Sequence, residues 1–149
     1  MIYSLSWKPY QRRFRKPLQT HHGLWEVREG LLVGLHGEEG STGWGEVAPI
    51  PWFGTETLEA AIAFLKQLPQ VLSESDVFAI PDTLPCCQFG LGSAWEMLHN
   101  SQSVVELDPA GLSALLPAGK AACDVWPMFW QKGHRTFKWK IGVLSLESE

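Results

Sequence analysis

The chain has 149 residues, 45% of them hydrophobic and 19% charged, enough apolar material to bury a core in about one domain of soluble globular protein. A formal net charge of -4 excludes a general attraction to phosphate backbones or anionic lipid, so nucleic acid and membrane are not expected partners. No stretch approaches the ~18 apolar residues of a spanning helix, and no apolar h-region follows a positive n-region at the amino terminus, so the expected compartment is the cytoplasm.

The first predicted element is a strand over Ile2 to Trp7, where Tyr3, Leu5 and Trp7 alternate with Ile2, Ser4 and Ser6. The basic run Arg12, Arg13, Arg15 and Lys16 reads as a solvated strand end, with attraction of an anionic substrate as the alternative. Pro17 to Gly23 is polar and without sustained period, which predicts a mobile loop of the kind that carries specificity. A second strand is expected over Trp25 to Leu35, with Trp25, Val27, Glu29, Leu31 and Val33 on one side, and the turn at His36 to Gly40 leads to a third over Thr42 to Val47. The opening therefore reads as an antiparallel meander.

After the proline-bounded stretch Pro49 to Gly54, Thr55 is the expected cap of a helix in which Leu58, Ala61, Ile62 and Leu65 recur at helical spacing until Pro69. A second helix is predicted over Pro85 to His99, with Cys87, Leu91, Ala94, Trp95 and Leu98 on one stripe and Gly90 and Gly92 against it. Gly90-Leu91-Gly92 is too short a piece of G-x-G-x-x-G to bind a nucleotide. From Leu112 the order is a short apolar run to Leu116, a helical segment over Ala121 to Gln131 that contains Pro127, and a strand over Thr136 to Val143. That is a β-α-β unit, and the expected boundary before it falls near Asn100 to Pro109. Cys86, Cys87 and Cys123 fit neither an even disulfide framework nor paired zinc ligands and read as reduced, buried small hydrophobes. The eight tryptophans, scattered over strands and helices, read as packing residues.

Gly43-Trp44-Gly45-Glu46-Val47-Ala48-Pro49, followed by Glu56-Thr57-Leu58-Glu59-Ala60, resembles the last meander strand and first helix of a capping domain of the enolase superfamily. Its glycines permit close backbone approach and its prolines end the sheet. Phe137-Lys138-Trp139-Lys140-Ile141-Gly142-Val143 resembles the K-x-K strand of the branch that includes the o-succinylbenzoate synthases. Thr20 to Trp25, Ala48 to Gly54, Ile80 to Pro85 and Ser113 to Gly119 are similar to the cyanobacterial or plastid type of that family.

The resemblance implies an α+β capping domain (antiparallel meander plus helices) over residues 1–100, followed over 101–149 by the first β/α units of an incomplete TIM-type (β/α) barrel. Period-two geometry puts Lys138 and Lys140 on one face of their strand and Phe137, Trp139, Ile141 and Val143 on the other. Alternation alone favours a half-exposed strand with solvated lysines over catalysis; the preceding cap-like meander and helix reverse that preference. By resemblance, Lys140 is the general acid/base acting α to a carboxylate, Lys138 is its electrostatic neighbour, and Thr20 and His21 sit on a loop that closes over a small-molecule carboxylate substrate. His21-His22 is not expected to bind metal, because adjacent side chains diverge.

The reaction implied is dehydration of 2-succinyl-6-hydroxy-2,4-cyclohexadiene-1-carboxylate to o-succinylbenzoate in menaquinone or phylloquinone biosynthesis. The alternatives are an N-acylamino acid racemase or dipeptide epimerase of the same superfamily, or a non-catalytic capping or interaction fragment. A whole barrel takes about 250 residues. Family members hold Mg²⁺ with carboxylates on later strands, so no metal ligand is expected here, the isolated chain is expected to be inactive, and the missing barrel portion is its expected partner.

Overall fold

The computed structural model describes residues 1–38, 40–100, 108–142 and 145. The chain separates into two compact units, one formed by Met1–Pro17 and Glu26–Ser101 and the other by Leu18–Trp25 and Gln102–Glu149.

Strands β1 (Ile2–Thr20), β2 (Gly23–His36), β3 (Thr42–Val47) and β4 (Val71–Ser73) form a sheet in the order β3-β2-β1-β4, all of it in the first unit but the hairpin tip Leu18–Trp25. The register of β2 on β3 sets Leu31 against Val47 and Leu35 against Gly43, and β4 pairs antiparallel with the start of β1. Alternation then decides the core: Tyr3, Leu31, Val33, Leu35, Val47 and Leu72 are buried, while the intervening Ile2, Leu32 and Trp44 are exposed. Helices α1 (Leu58–Gln67) and α3 (Pro85–His99) cover that face with Ala61, Leu65, Cys87, Leu91 and Ala94; the short α2 (Glu74–Phe78) adds Val77.

The close seat of α3 on β3 explains its glycines. A Cβ on Gly45 would lie 1.8 Å from the carbonyl oxygen of Gly90, one on Gly43 would lie 1.9 Å from that of Ala94, and one on Gly90 would meet Val47 at 2.5 Å. Backbone therefore packs on backbone, and Gly90 outweighs its weak helix propensity by making that contact possible.

The second unit contains β5 (Ser113–Leu116), α4 (Ala121–Gln131) and β6 (Thr136–Trp139), with β5 and β6 parallel and Leu115 paired with Lys138. Ala114, Leu116 and Ala122 are buried, and Trp126 of α4 meets Phe137 of β6 edge to face. Pro127 lies inside α4, so the carbonyl of Cys123 has no intrahelical donor four residues on.

Five expectations change. Pro17 to Gly23 is not a loop: β1 runs to Thr20, β2 starts at Gly23, and only His21 and His22 form the turn. Backbone pairing needs no apolar alternation, so a two-stranded ribbon with both faces solvated leaves no periodic mark on its side chains. Thr57, not Thr55, caps α1, accepting from the Ala60 N–H at 3.2 Å, whereas the Thr55 hydroxyl accepts from the Ile50 N–H at 2.7 Å. The last strand ends at Trp139 and leaves Lys140 just past it; Val143 lies outside the described residues. Cys123 is exposed, unlike the buried Cys87. Trp44, Trp52, Trp126, Trp130 and Trp139 are all at least 40% exposed, so they are not core residues, even where, as at Trp126, one edge meets a neighbouring ring.

Candidate functional site

The second unit gathers most of the residues singled out in the sequence. Lys140 follows the carboxyl end of β6, the end at which parallel β/α units place their chemistry. Strand parity separates the two faces: Phe137 turns toward α4, and Lys138 shares the opposite face with its register partner Leu115, which is 60% exposed. Lys138 is exposed and Lys140 half-buried.

The tip of the β1-β2 hairpin belongs to the same unit, and Lys140 reaches it. Its Nζ donates to the Gln19 carbonyl oxygen at 2.5 Å. The tip itself is shaped by Thr20: its hydroxyl accepts from the His22 N–H at 3.1 Å and donates to the Gly23 carbonyl at 2.7 Å. Gly23 has φ of 104°, a left-handed conformation open to glycine without strain. His21 and His22 are exposed, their rings edge to face at 5.5 Å.

Thus the structure brings Lys140 and the Thr20 segment together through Gln19, while His21 projects from the tip and Lys138 sits on the open strand face. Gln19 escaped sequence reasoning because its contact is made by the backbone; the T-x-x-G spacing of a tight turn was the available signal. Among the described residues no three His, Cys, Asp or Glu side chains come together as a metal site. Among the described residues no helix is long and apolar enough to cross a membrane.

The first unit contributes rigid supports. Glu56 is 7% exposed, and its carboxylate accepts the N–H of Cys86 at 3.1 Å and of Cys87 at 2.9 Å, capping α3 from a distant segment. Burial, and secondarily the Glu56 carboxylate, push the Cys87 thiol up to about 12. On the sheet, Tyr10 passes over Gly30 of β2 and donates to Glu46 of β3; burial first, and then Glu46, push its phenol up to about 12. Arg28 donates to the carbonyls of Ala48 and Pro49 and so fixes the exit from β3.

The family described as MenC, N-terminal domain, matches residues 10–98. The o-succinylbenzoate synthase of Thermosynechococcus vestitus is 42% identical over 143 residues, which is 96% of this chain and 44% of that protein. Among solved structures, the o-succinylbenzoate synthase from Thermosynechococcus elongatus BP-1, complexed with Mg in the active site, superposes with a TM-score of 0.85 at 41% identity, covering 97% of this chain and 45% of that one. A dipeptide epimerase from Enterococcus faecalis superposes with a TM-score of 0.69 at 16% identity, covering 99% of this chain and 47% of that one, a likeness of fold. The chain spans less than half the length of each of these proteins.

Proposed function

Since the chain belongs to the MenC N-terminal domain family, we propose that it is the amino-terminal part of an o-succinylbenzoate synthase, a hydro-lyase of menaquinone or phylloquinone biosynthesis acting in the cytoplasm. Residues 1–100 form the capping domain and 101–149 open the barrel. The observation that carries this reading is the 42% identity to the Thermosynechococcus vestitus synthase, which extends over 96% of the chain and so takes in both units. The epimerase likeness, at 16% identity, favours no second reading.

In this role the amine of Lys140 takes the proton α to the substrate carboxylate. The electron pair left on that carbon forms a ring double bond as the C–O bond to the neighbouring hydroxyl breaks, and the Lys140 ammonium returns the proton to the departing oxygen. Water leaves and the ring becomes aromatic. Lys138, two residues earlier, adds positive charge on the face where negative charge develops. Thr20 and His21, on the hairpin tip, border the substrate and exclude water. The Mg of the Thermosynechococcus elongatus enzyme finds no ligand set among the described residues, so these residues do not fit it, and the steps assigned to this chain are proton steps only. Because the described residues offer no ligand set, the 149 residues alone are expected to turn over no substrate.

The test joins this chain to the portion of the Thermosynechococcus vestitus enzyme beyond the match and follows formation of o-succinylbenzoate. Turnover is expected, with loss of at least about a thousandfold on Lys140→Ala, within the range for removing a general acid/base. Unchanged turnover in that variant, or turnover by the 149 residues alone, overturns the assignment.

A further inference from the structure

The contact between Lys140 and the hairpin tip carries an inference about how the amine is aimed. We infer that the Gln19 carbonyl is a tether that fixes the direction of the Lys140 amine, and that Thr20 acts as a positioning residue by holding the turn that presents this carbonyl. The inference rests on the reading of Lys140 as the proton-transferring group and assigns Thr20 work other than touching substrate.

The geometry supplies each step. A lysine amine sits on a four-carbon stem with free rotation at its end, so without an acceptor its lone pair has no fixed direction. The carbonyl of Gln19, 2.5 Å from Nζ, holds one N–H and confines the lone pair to the remaining directions. That carbonyl belongs to the main chain and cannot swing away as a side-chain acceptor could. Its position depends on the turn, and the turn is closed by the Thr20 hydroxyl, which uses both its donor and its acceptor function, to Gly23 and from His22. Its one proton is thus committed to the turn. Of the two lysines, Lys138 stands exposed and Lys140 meets the tip, so only the latter is oriented this way.

Site-resolved acylation of the intact chain by an N-hydroxysuccinimide acetate, read by mass spectrometry, tests this without any catalytic activity. Acylation needs the amine's lone pair and room around it. Lys140 is expected to react about tenfold more slowly than Lys138, the factor for one hydrogen bond to the amine at a half-buried site. Thr20→Val, which keeps the shape but loses both turn bonds, brings the two rates within about twofold of each other by the same reasoning, and Thr20→Ser restores the difference; circular dichroism checks that each variant is folded. Equal rates in the unsubstituted chain overturn the tether, and a ratio unmoved by Thr20→Val overturns the role of Thr20. Either result leaves the Lys140→Ala test of proton transfer standing, so the two readings fail separately.

Discussion

Removal of the Glu56 carboxylate is the sharpest probe of how the first unit is held together. The α3 helix begins at Pro85 with Leu84 before it, and no side chain of Leu84 can bond the first N–H groups. Glu56, remote in sequence, accepts two of them, from Cys86 and Cys87 at 3.1 and 2.9 Å, in a setting only 7% exposed. Loss of an ordinary capping side chain destabilises by about 0.5–2 kcal/mol. Here two donors lose their acceptor at once, at about 1–3 kcal/mol each if they stay dry, with water able to reach the cavity left by the larger side chain and recover part of that. Glu56→Ala should therefore cost about 2–4 kcal/mol, and Glu56→Gln, which keeps one acceptor oxygen, about 1–2 kcal/mol. Urea unfolding followed by tryptophan fluorescence reads the midpoint, which should fall by about 1–2 M for the alanine variant at the slopes usual for small proteins. Hydrogen exchange at Cys86 and Cys87 should accelerate more than at the distal Trp95. A Glu56→Ala midpoint within about 0.3 M of the original would refute the reasoning, because a carboxylate that close to two N–H groups could then contribute nothing beyond what water supplies.

Two glycines two residues apart on α3, and so on different faces of it, should respond oppositely. Gly90→Ala forces α3 off β3 and should destabilise by about 3 kcal/mol or more, while Gly92→Ala, whose Cβ meets nothing within 4 Å, should stabilise by up to about 1 kcal/mol in the same urea titration. Tyr10 should ionise near pH 12 in the phenolate absorbance of the folded chain, and Tyr10→Phe should delete that step. Because its folded value lies above the ordinary 10.0, the stability it confers is full below pH 10 and is lost as pH rises through about 12. Iodoacetamide at neutral pH should label the exposed Cys123 in the folded chain and reach Cys87 only in urea, since burial leads and Glu56 follows in holding that thiol protonated.

The buried faces of the first unit were legible where one side of an element met a core. Leu31, Val33 and Leu35 alternate, Leu58 to Leu65 recur at helical spacing, and those patterns became β2 and α1. The far half of β1 and the start of β2 were not, because a ribbon with both faces solvated is stabilised by main-chain pairing that any residues can make. The capping box of Ser73 and Asp76, with the Asp76 carboxyl lowered chiefly by its hydrogen bond from the Ser73 hydroxyl, was readable as S-x-x-D, yet α2 is only five residues long and gives too little period to notice. In the candidate site, Lys138 and Lys140 stood out by type and spacing. Gln19 and Glu56 did not, since one works through its backbone and the other through a contact 30 residues away in sequence.

An unbroken ribbon from the buried Leu31 to the turn at His21 has one further implication. Parity is conserved along a strand, so the choice of which β1 carbonyls face β2 and which face outward is made once for its whole length. A slip of a single position at the base would exchange the two edges along the whole strand, even where nothing nearby had been altered. Aliphatic packing at one end of the hairpin thereby indexes hydrogen bonding at the other, like the first tooth of a zip.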